Sequence, residues 1–174
     1  MADFVPFGSG PYFIFLALLL FARGMDFLST WVATPNLLLE ANPVAKKLGW
    51  KWGIPLNVAF CIAVSIWPLP AIIIATASVL VAARNFQNAW LMRAFGEEDY
   101  RAWHRDRFQE TGFLLYLACL FAQTLLTAAV GGALVCLSAD SAPASAIGWG
   151  ILAYAAAVIF YTLLSLWRLR RSLG

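Results

Sequence analysis

The chain has 174 residues, of which 62% are hydrophobic and 12% are charged, and its formal net charge is +3. A soluble domain carries about 25% charged residues, so a chain this apolar could not cover its surface with polar groups in water and belongs to the membrane class. About five membrane spans of roughly 20 residues each would use most of the chain and leave no room for a soluble catalytic domain. No basic run stands free of the apolar segments, so no nucleic-acid partner is expected.

Five apolar segments predict an all-α bundle of transmembrane helices within one membrane domain. The predicted spans are residues 11–34, 53–67, 71–92, 113–137 and 147–167. Asn42 and Pro43 provide an N-cap and a first helical position just before the second span. Residues 53–92 would form a helix of about 60 Å, twice the thickness of the hydrocarbon core. We therefore expect the turn Pro68-Leu69-Pro70 to separate two helices.

The segment between the third and fourth spans is the only strongly polar one. Tyr100, Trp103 and Arg107 follow one side of it at helical spacing, which predicts an amphipathic helix lying at the membrane interface. Glu97 and Arg101 stand four residues apart and are expected to pair on this helix.

Basic residues alternate between the connectors. They occur before the second span (Lys46, Lys47, Lys51), after the third (Arg93, Arg101, Arg105, Arg107) and after the fifth (Arg168, Arg170, Arg171). The N-terminal tail and the turns at residues 68–70 and 138–143 contain none. The positive-inside rule therefore predicts a multi-pass protein of the inner (cytoplasmic) membrane with its N-terminus outside and its C-terminus inside. Four spans would instead put basic connectors on opposite sides.

Charged side chains within the spans mark a candidate site, because each costs at least about 2.5–3.5 kcal/mol at the bilayer centre. Arg23, Asp26 and Thr30 share one face of the first span, and Arg84 and Asn88 share a face of the third. We expect these groups and three more to converge on a polar pocket that opens toward the cytoplasm. The candidate ligand- or ion-binding residues are Arg23, Asp26, Thr30, Glu40, Asn42, Asn57, Arg84 and Asn88.

The residue types at this site leave several interpretations open. Asp26 and Glu40, with the amide oxygens of Asn42 and Asn57, suit a hard divalent cation such as Mg²⁺, Mn²⁺ or Ca²⁺. Asp26 could instead carry a proton. The two arginines of the spans could hold an anionic headgroup or a phosphate. No cofactor is implied by any of these patterns.

The alternative to a binding site is a structural ion pair. Asp26 would pair with Arg23 or Arg84 and join the first and third spans, and the Asn and Thr side chains would be ordinary interhelical hydrogen-bonding groups.

Small residues distinguish the last two spans. Gly131 and Gly132 lie in the fourth span, and Gly148, Ala153 and Ala157 lie in the fifth. Such residues allow helix backbones to approach closely. They predict either close packing within the chain or contact with an oligomer or a membrane-complex partner.

Asp26-x3-Thr30 in one span, followed by Glu40-x-Asn42-Pro43 before the next, resembles a family of small bacterial polytopic membrane proteins of unknown function. The resemblance covers about a fifth of the chain, after Pro11. It implies the location of a site and no particular reaction. Members of that family have about three spans, so the resemblance implies that spans four and five are an extension.

The leading functional hypothesis is a pocket that binds or passes a small ion or polar solute. One alternative is an accessory or scaffold subunit that uses spans four and five as contacts. The other is a lipid-directed membrane enzyme, which the scarcity of catalytic residue types disfavours: His104 is the only histidine.

Overall fold

A computed structural model describes the backbone of residues 4–138 and 140–171 and the side chains as far as residue 168. The described residues form six helices and no strand: α1 (Gly10–Ala33), α2 (Pro43–Val64), α3 (Pro68–Phe95), α4 (Glu97–Thr111), α5 (Phe113–Leu137) and α6 (Ala142–Arg171). The side chains of Arg170 and Arg171, two of the three basic groups predicted after the last span, lie outside the described residues.

Four helices are long and apolar enough to cross a membrane: α1, α3, α5 and α6 as far as Arg168. The all-α, multi-pass architecture is thus confirmed. α2 does not meet that criterion, because its first turns carry Lys46, Lys47 and Lys51. Gly49 also interrupts it with φ 61° and ψ −171°, a conformation that glycine adopts without steric cost. The uninterrupted part from Trp50 to Val64 rises only about 22 Å.

Two helix starts show how the sequence sets these boundaries. The Asn42 side-chain oxygen accepts hydrogen bonds from the backbone N–H groups of Val44 (3.0 Å) and Ala45 (3.4 Å), which confirms Asn42 as the N-cap of α2. α3 begins at Pro68, so the expected turn at residues 68–70 is wrong. Proline lacks an N–H and fits the first turn of a helix, and the chain reverses at residues 65–67 instead.

Interhelical contacts give the directions of α1, α2 and α3. Arg23 of α1 contacts Ser78 of α3. Thr30, which lies further along α1, contacts Asn85, which lies further along α3. α1 and α3 are therefore parallel. α2 runs the opposite way, because Tyr12 at the start of α1 donates to the carbonyl oxygen of Ile62 near the end of α2 at 3.2 Å.

Glycines bring α5 and α6 into close contact. A Cβ atom added at Gly148 would lie 2.7 Å from the carbonyl oxygen of Gly131, and one added at Gly150 would lie 2.6 Å from the Cβ of Thr76 on α3. The close packing predicted from the small residues thus occurs within the chain. Gly132 has open space around it and takes no part.

The connectors that carry the basic residues meet at one end of the bundle. The Lys46 ammonium lies 3.3 Å from the carbonyl oxygen of Leu38, whose N–H is bound by Glu97 of α4. Arg168, near the end of α6, reaches the carbonyl oxygen of Ala41 at 3.5 Å. We call this end, formed by residues 34–51, α4 and the C-terminal part of α6, the basic end.

The bundle has small buried cores and an apolar exterior. One core joins the first three helices through Leu19, Ala22, Cys61, Ala71 and Ala75. A second joins α5 and α6 through Leu120, Tyr154 and Val158. Large apolar side chains cover the outside, as on α5, where Leu126 is 72% exposed. Such a surface suits a lipid environment better than water.

Candidate functional site

A cavity of about 640 Å³ lies at the basic end, between α1, α2, α3 and α6. Its volume falls in the usual range of small-molecule sites, about 300–1,000 Å³. Seven of the eight candidate residues line it: Arg23, Asp26, Thr30, Glu40, Asn42, Asn57 and Arg84. Asn88 does not, because its side chain is exposed and contacts only the carbonyl oxygen of Arg84, at 3.4 Å.

Arg23 is the centre of the polar contacts among the first three helices. One terminal nitrogen donates to Asp26 at 2.8 Å and to the Ser78 hydroxyl at 3.3 Å. The other terminal nitrogen and Nε both donate to the side-chain oxygen of Asn57, at 2.6 and 2.9 Å. Of the two ion pairs that the sequence left open, Asp26 therefore forms the one with Arg23, and the same guanidinium connects α1, α2 and α3.

The oxygen atoms predicted for a cation are largely engaged in contacts within the protein. Asn57 accepts from Arg23, and the Asn42 oxygen caps α2. One Glu40 oxygen accepts the N–H of Asn42 at 2.7 Å. In residues 4–138 and 140–171, no three His, Cys, Asp or Glu side chains lie close enough together to hold a metal ion. The arrangement therefore offers little to a divalent cation.

Arg84 differs from these oxygen atoms, which are engaged in contacts within the protein. Its Nη1 atom is buried, and no described residue offers it a hydrogen-bond acceptor. Buried polar groups are nearly always hydrogen-bonded, and an unsatisfied one costs free energy, more so when it is charged. Arg84 lines the cavity together with three tyrosines of the last two helices, Tyr116, Tyr154 and Tyr161. A ligand that brings an anionic oxygen would satisfy this guanidinium.

Asn85 has the position in the site that was predicted for Asn88. Its amide nitrogen lies 3.3 Å from both the Ser29 and Thr30 hydroxyls of α1. The buried residues of α3 lie at 68, 71, 75, 78, 82 and 89, and Asn85 fills the remaining position in this alternation of three- and four-residue steps. The signal was therefore present in the sequence, because a step of three or four residues returns to the same helix face.

Glu97 fastens the segment that forms one wall of the cavity. Its carboxylate accepts from the Thr34 hydroxyl (2.9 Å) and from the N–H groups of Asn36 (2.8 Å) and Leu38 (2.9 Å). The predicted pairing with Arg101 is wrong, because the described residues show no such ion pair and this carboxylate faces residues 34–38. Burial alone would raise the pKa of Glu97, but these hydrogen bonds outweigh it and hold the pKa below its ordinary value.

The wall fastened by Glu97 contains a strained residue. Leu37 has φ 56°, in the left-handed region that costs a residue with a Cβ roughly 1–2 kcal/mol. The residues on either side of it are the two whose N–H groups bind Glu97. Leu37, Leu39 and Glu40 all line the cavity. α4 therefore holds part of the cavity wall in a conformation that the segment would not favour by itself.

Comparisons with protein families, curated proteins and solved structures gave no match. The family resemblance drawn from the Asp-x3-Thr and Glu-x-Asn-Pro patterns therefore stays a prediction. The four polar residues of that pattern nevertheless line one and the same cavity: Asp26, Thr30, Glu40 and Asn42.

Proposed function

We propose that this chain is a multi-pass protein of the cytoplasmic membrane that binds or passes a small polar solute, preferentially an anion, in the cavity at the basic end. The observation that carries the proposal is the buried, unpartnered Nη1 of Arg84 on the cavity wall. An arginine fork matches the oxygens of a phosphate or carboxylate.

An anion is favoured over a cation because of how the charges are compensated. Asp26 is already paired with Arg23, whereas Arg84 makes no ion pair with any described residue. All four proposed cation ligands already accept protein hydrogen bonds through an oxygen, Asp26 from its partner Arg23. A divalent cation would have to compete with these contacts, and an anion at Arg84 would not.

The proposed topology has five crossings, with the N-terminus outside and the C-terminus in the cytoplasm. α1 and α3 are parallel, so the chain between them has to return along the bundle, and α2 does so. Its outer face carries large apolar side chains, among them Ile54 (50% exposed) and Phe60 (44% exposed). These features support α2 as a short fifth crossing, and the basic end as the cytoplasmic side.

The alternative functions receive less support. Of the small residues on which an accessory-subunit role rested, Gly131 and Gly148 contact each other inside the chain, whereas Gly132 faces open space. The only histidine, His104, lies on α4 and does not line the cavity, which gives a lipid-directed enzyme no histidine base at this site.

Thermal unfolding of the purified protein in detergent tests the binding proposal. Sodium phosphate at constant ionic strength is expected to raise the unfolding temperature, and magnesium chloride is not. Arg84→Gln should abolish the phosphate effect and Arg84→Lys should keep part of it. Arg93→Gln is the matched control, because Arg93 is an exposed arginine of the same helix that does not line this cavity. Stabilisation by Mg²⁺ that Asp26→Asn removes would favour the cation interpretation instead.

Cysteine labelling in whole cells tests the topology. In a cysteine-free background, Trp67→Cys and Ser141→Cys are expected to react with a membrane-impermeant maleimide in intact cells, because both positions are exposed at the end opposite the basic end. Glu98→Cys should react only after permeabilisation. Lys47→Cys, at an exposed position in the first turns of α2, lies across α2 from Trp67→Cys and should also react only after permeabilisation. If Trp67→Cys and Lys47→Cys label from the same side, α2 does not cross and the five-span proposal is wrong.

A further inference from the structure

In the part of the chain that the structure describes, α2 and α6 both line the cavity at the basic end without packing along each other, and we call the space between them the gap. Among the described residues, the backbone of α2 packs along α1, whereas α6 packs along α3 and α5. Leu48 of α2 and Ser165 of α6 nevertheless line the same cavity. The contact between Arg168 and Ala41, at 3.5 Å, is the hydrogen bond that ties α6 to the segment before α2.

Both helices beside the gap carry large apolar side chains on their outer surfaces. On α2, Trp52 and Leu56 are more than half exposed, and on α6, Phe160 is also more than half exposed. A gap bordered by outward-facing apolar side chains opens into the hydrocarbon of a bilayer and not into water.

The walls of the cavity suit a molecule that is itself divided into polar and apolar parts. Arg84, Tyr116 and Thr30 supply polar groups, whereas Leu48 and Val158 supply aliphatic surface. A small inorganic anion could satisfy Arg84 but would leave the aliphatic surface facing water. Burial of that surface against a hydrocarbon chain is favourable by about 25 cal/mol per Å².

We infer that the ligand of this cavity is an anionic amphiphile, in which a phosphate or carboxylate binds Arg84 and an acyl chain leaves through the gap between α2 and α6. The inference rests on the proposed anion-binding function and names its substrate class. The basic connectors support it, because clustered Lys and Arg near a membrane surface attract anionic lipids. The source of the anion is therefore the bilayer, and free phosphate from the cytoplasm would bind less tightly.

Three probes added to the delipidated protein in detergent separate the possible sources: inorganic phosphate, dihexanoyl phosphatidic acid and dihexanoyl phosphatidylcholine. We expect the phosphatidic acid to raise the unfolding temperature by about 5 °C near saturation. Its apparent Kd should be at least about tenfold below that of inorganic phosphate. Arg84→Gln should weaken phosphatidic acid binding by at least about tenfold, as expected for the loss of a charged hydrogen bond, whereas Arg93→Gln should not.

A side chain that fills the gap tests the route. Ser165→Trp adds bulk at an exposed position that lines the cavity on α6, and it should weaken phosphatidic acid binding while leaving phosphate binding unchanged. Leu163→Trp, on the same helix but outside the cavity lining, is the matched control. Each variant is compared with its own ligand-free unfolding temperature, so a loss of stability alone does not count.

The outcomes distinguish the two proposals. Arg84-dependent stabilisation by inorganic phosphate, with no advantage for phosphatidic acid, would overturn the amphiphile inference and leave the proposed function in place. Equal stabilisation by phosphatidic acid and phosphatidylcholine, unaffected by Arg84→Gln, would overturn the inference as non-specific detergent-like binding. No response to any of the three probes would overturn both. Phosphatidic acid binding that is lost in Ser165→Trp and kept in Leu163→Trp supports the lateral route.

Discussion

The two halves of this bundle are held together in different ways. The first three helices are joined through polar side chains, with Arg23 bound to Asp26, Asn57 and Ser78 on three different helices. The last two are joined through the backbone contact of Gly131 with Gly148, where a single added carbon would lie 2.7 Å from a carbonyl oxygen. One half adds a charged hydrogen-bond network to its apolar core, and the other adds a close backbone contact between glycines.

The difference explains where the cavity lies. In a bilayer, helices gain little from burying apolar surface against each other, so they associate through close packing or through hydrogen bonds. Close packing between glycines leaves no room for a ligand. Long polar side chains hold helices further apart and leave space between them, and the cavity lies on the side where α1, α2 and α3 use this second mode.

Removing Arg23, the central cation of the first three helices, should have the largest effect on the free energy of unfolding. Arg23→Leu leaves Asp26 without its partner in a largely buried position, and we expect a loss of about 3 kcal/mol in the free energy of unfolding. The side chains of this pair are only 26% and 16% exposed. The double variant Arg23→Leu/Asp26→Leu should recover most of the loss in a denaturant titration.

The chain offers a matched control for that pair. Arg107 and Glu110 have the same spacing, at 2.7 Å, but their side chains are 56% and 59% exposed. Arg107→Leu should therefore change the free energy of unfolding by less than about 0.5 kcal/mol. Equal losses in Arg23→Leu and Arg107→Leu would show that the polar cluster does not hold the first three helices together.

The second prediction concerns the glycine contact. Gly148→Ala should cost about 2 kcal/mol, because the new methyl group meets backbone and cannot be accommodated without moving α5 away from α6. Gly132→Ala, on α5 but facing open space, should be neutral or slightly stabilising, since alanine favours helix over glycine. Unfolding of both variants in the same detergent provides the measurement. A neutral Gly148→Ala would contradict the close approach.

The third prediction concerns the contact of α4 with the cavity wall. Glu97→Gln should lower the free energy of unfolding by about 1 kcal/mol, because two N–H donors and a hydroxyl lose a charged acceptor. Glu98→Gln alters the neighbouring exposed carboxylate and should have little effect.

This contact also predicts a dependence on pH. The hydrogen bonds to Glu97 lower its pKa in the folded protein, so its contribution is complete above the ordinary pKa of 4.5 and is lost as the pH falls through the lower, folded-state value. The free energy of unfolding of the native protein should therefore fall below about pH 4.5. Glu97→Gln should weaken that dependence. An unchanged pH profile in Glu97→Gln would contradict the assignment.

The smallest effect is expected at Asn85. Its two contacts with the α1 hydroxyls are long, 3.3 Å each, and interhelical hydrogen bonds in membranes average about 0.6 kcal/mol. Asn85→Ala should cost about that amount in the same denaturant titration, and Asn88→Ala, at an exposed position, should cost less. The reverse order would restore the original prediction that Asn88 faces the site.

The sequence predicted the helices and the charged residues that line the cavity, because hydropathy and intramembrane charge are local properties. Arg23, Asp26 and Arg84 stand out in apolar segments whatever their partners are. The choice between partners for Asp26 could not be made, because it depends on which face of α3 turns toward α1. That face is set by the small residues of α3, and Asn85 belongs to it although Asn88 was selected.

Two other features were not predicted from the sequence, for a different reason. Glu97 was assigned to Arg101 from spacing within its own helix, but it binds a segment some 60 positions earlier in the chain. Local spacing has no information about such distant contacts. Tyr154 and Tyr161 were missed although their seven-residue separation places them on one face of α6, because the small residues of that span suggested helix packing or contact with a partner.

α2 is held at both ends, and the two attachments differ. At the end opposite the cavity, the Val5 N–H donates to the carbonyl oxygen of Ile66 at 2.9 Å, and Cys61 is buried among α1 and α3. At the other end, just after the interruption at Gly49, the Trp50 ring nitrogen donates to the carbonyl oxygen of Pro35 at 2.8 Å. A rotation of about 10° about the end near Ile66 would move Trp50, about 22 Å away, by about 4 Å, which would break this hydrogen bond. A tilt of α2 that widens the gap beside α6 therefore requires the release of Trp50 from Pro35.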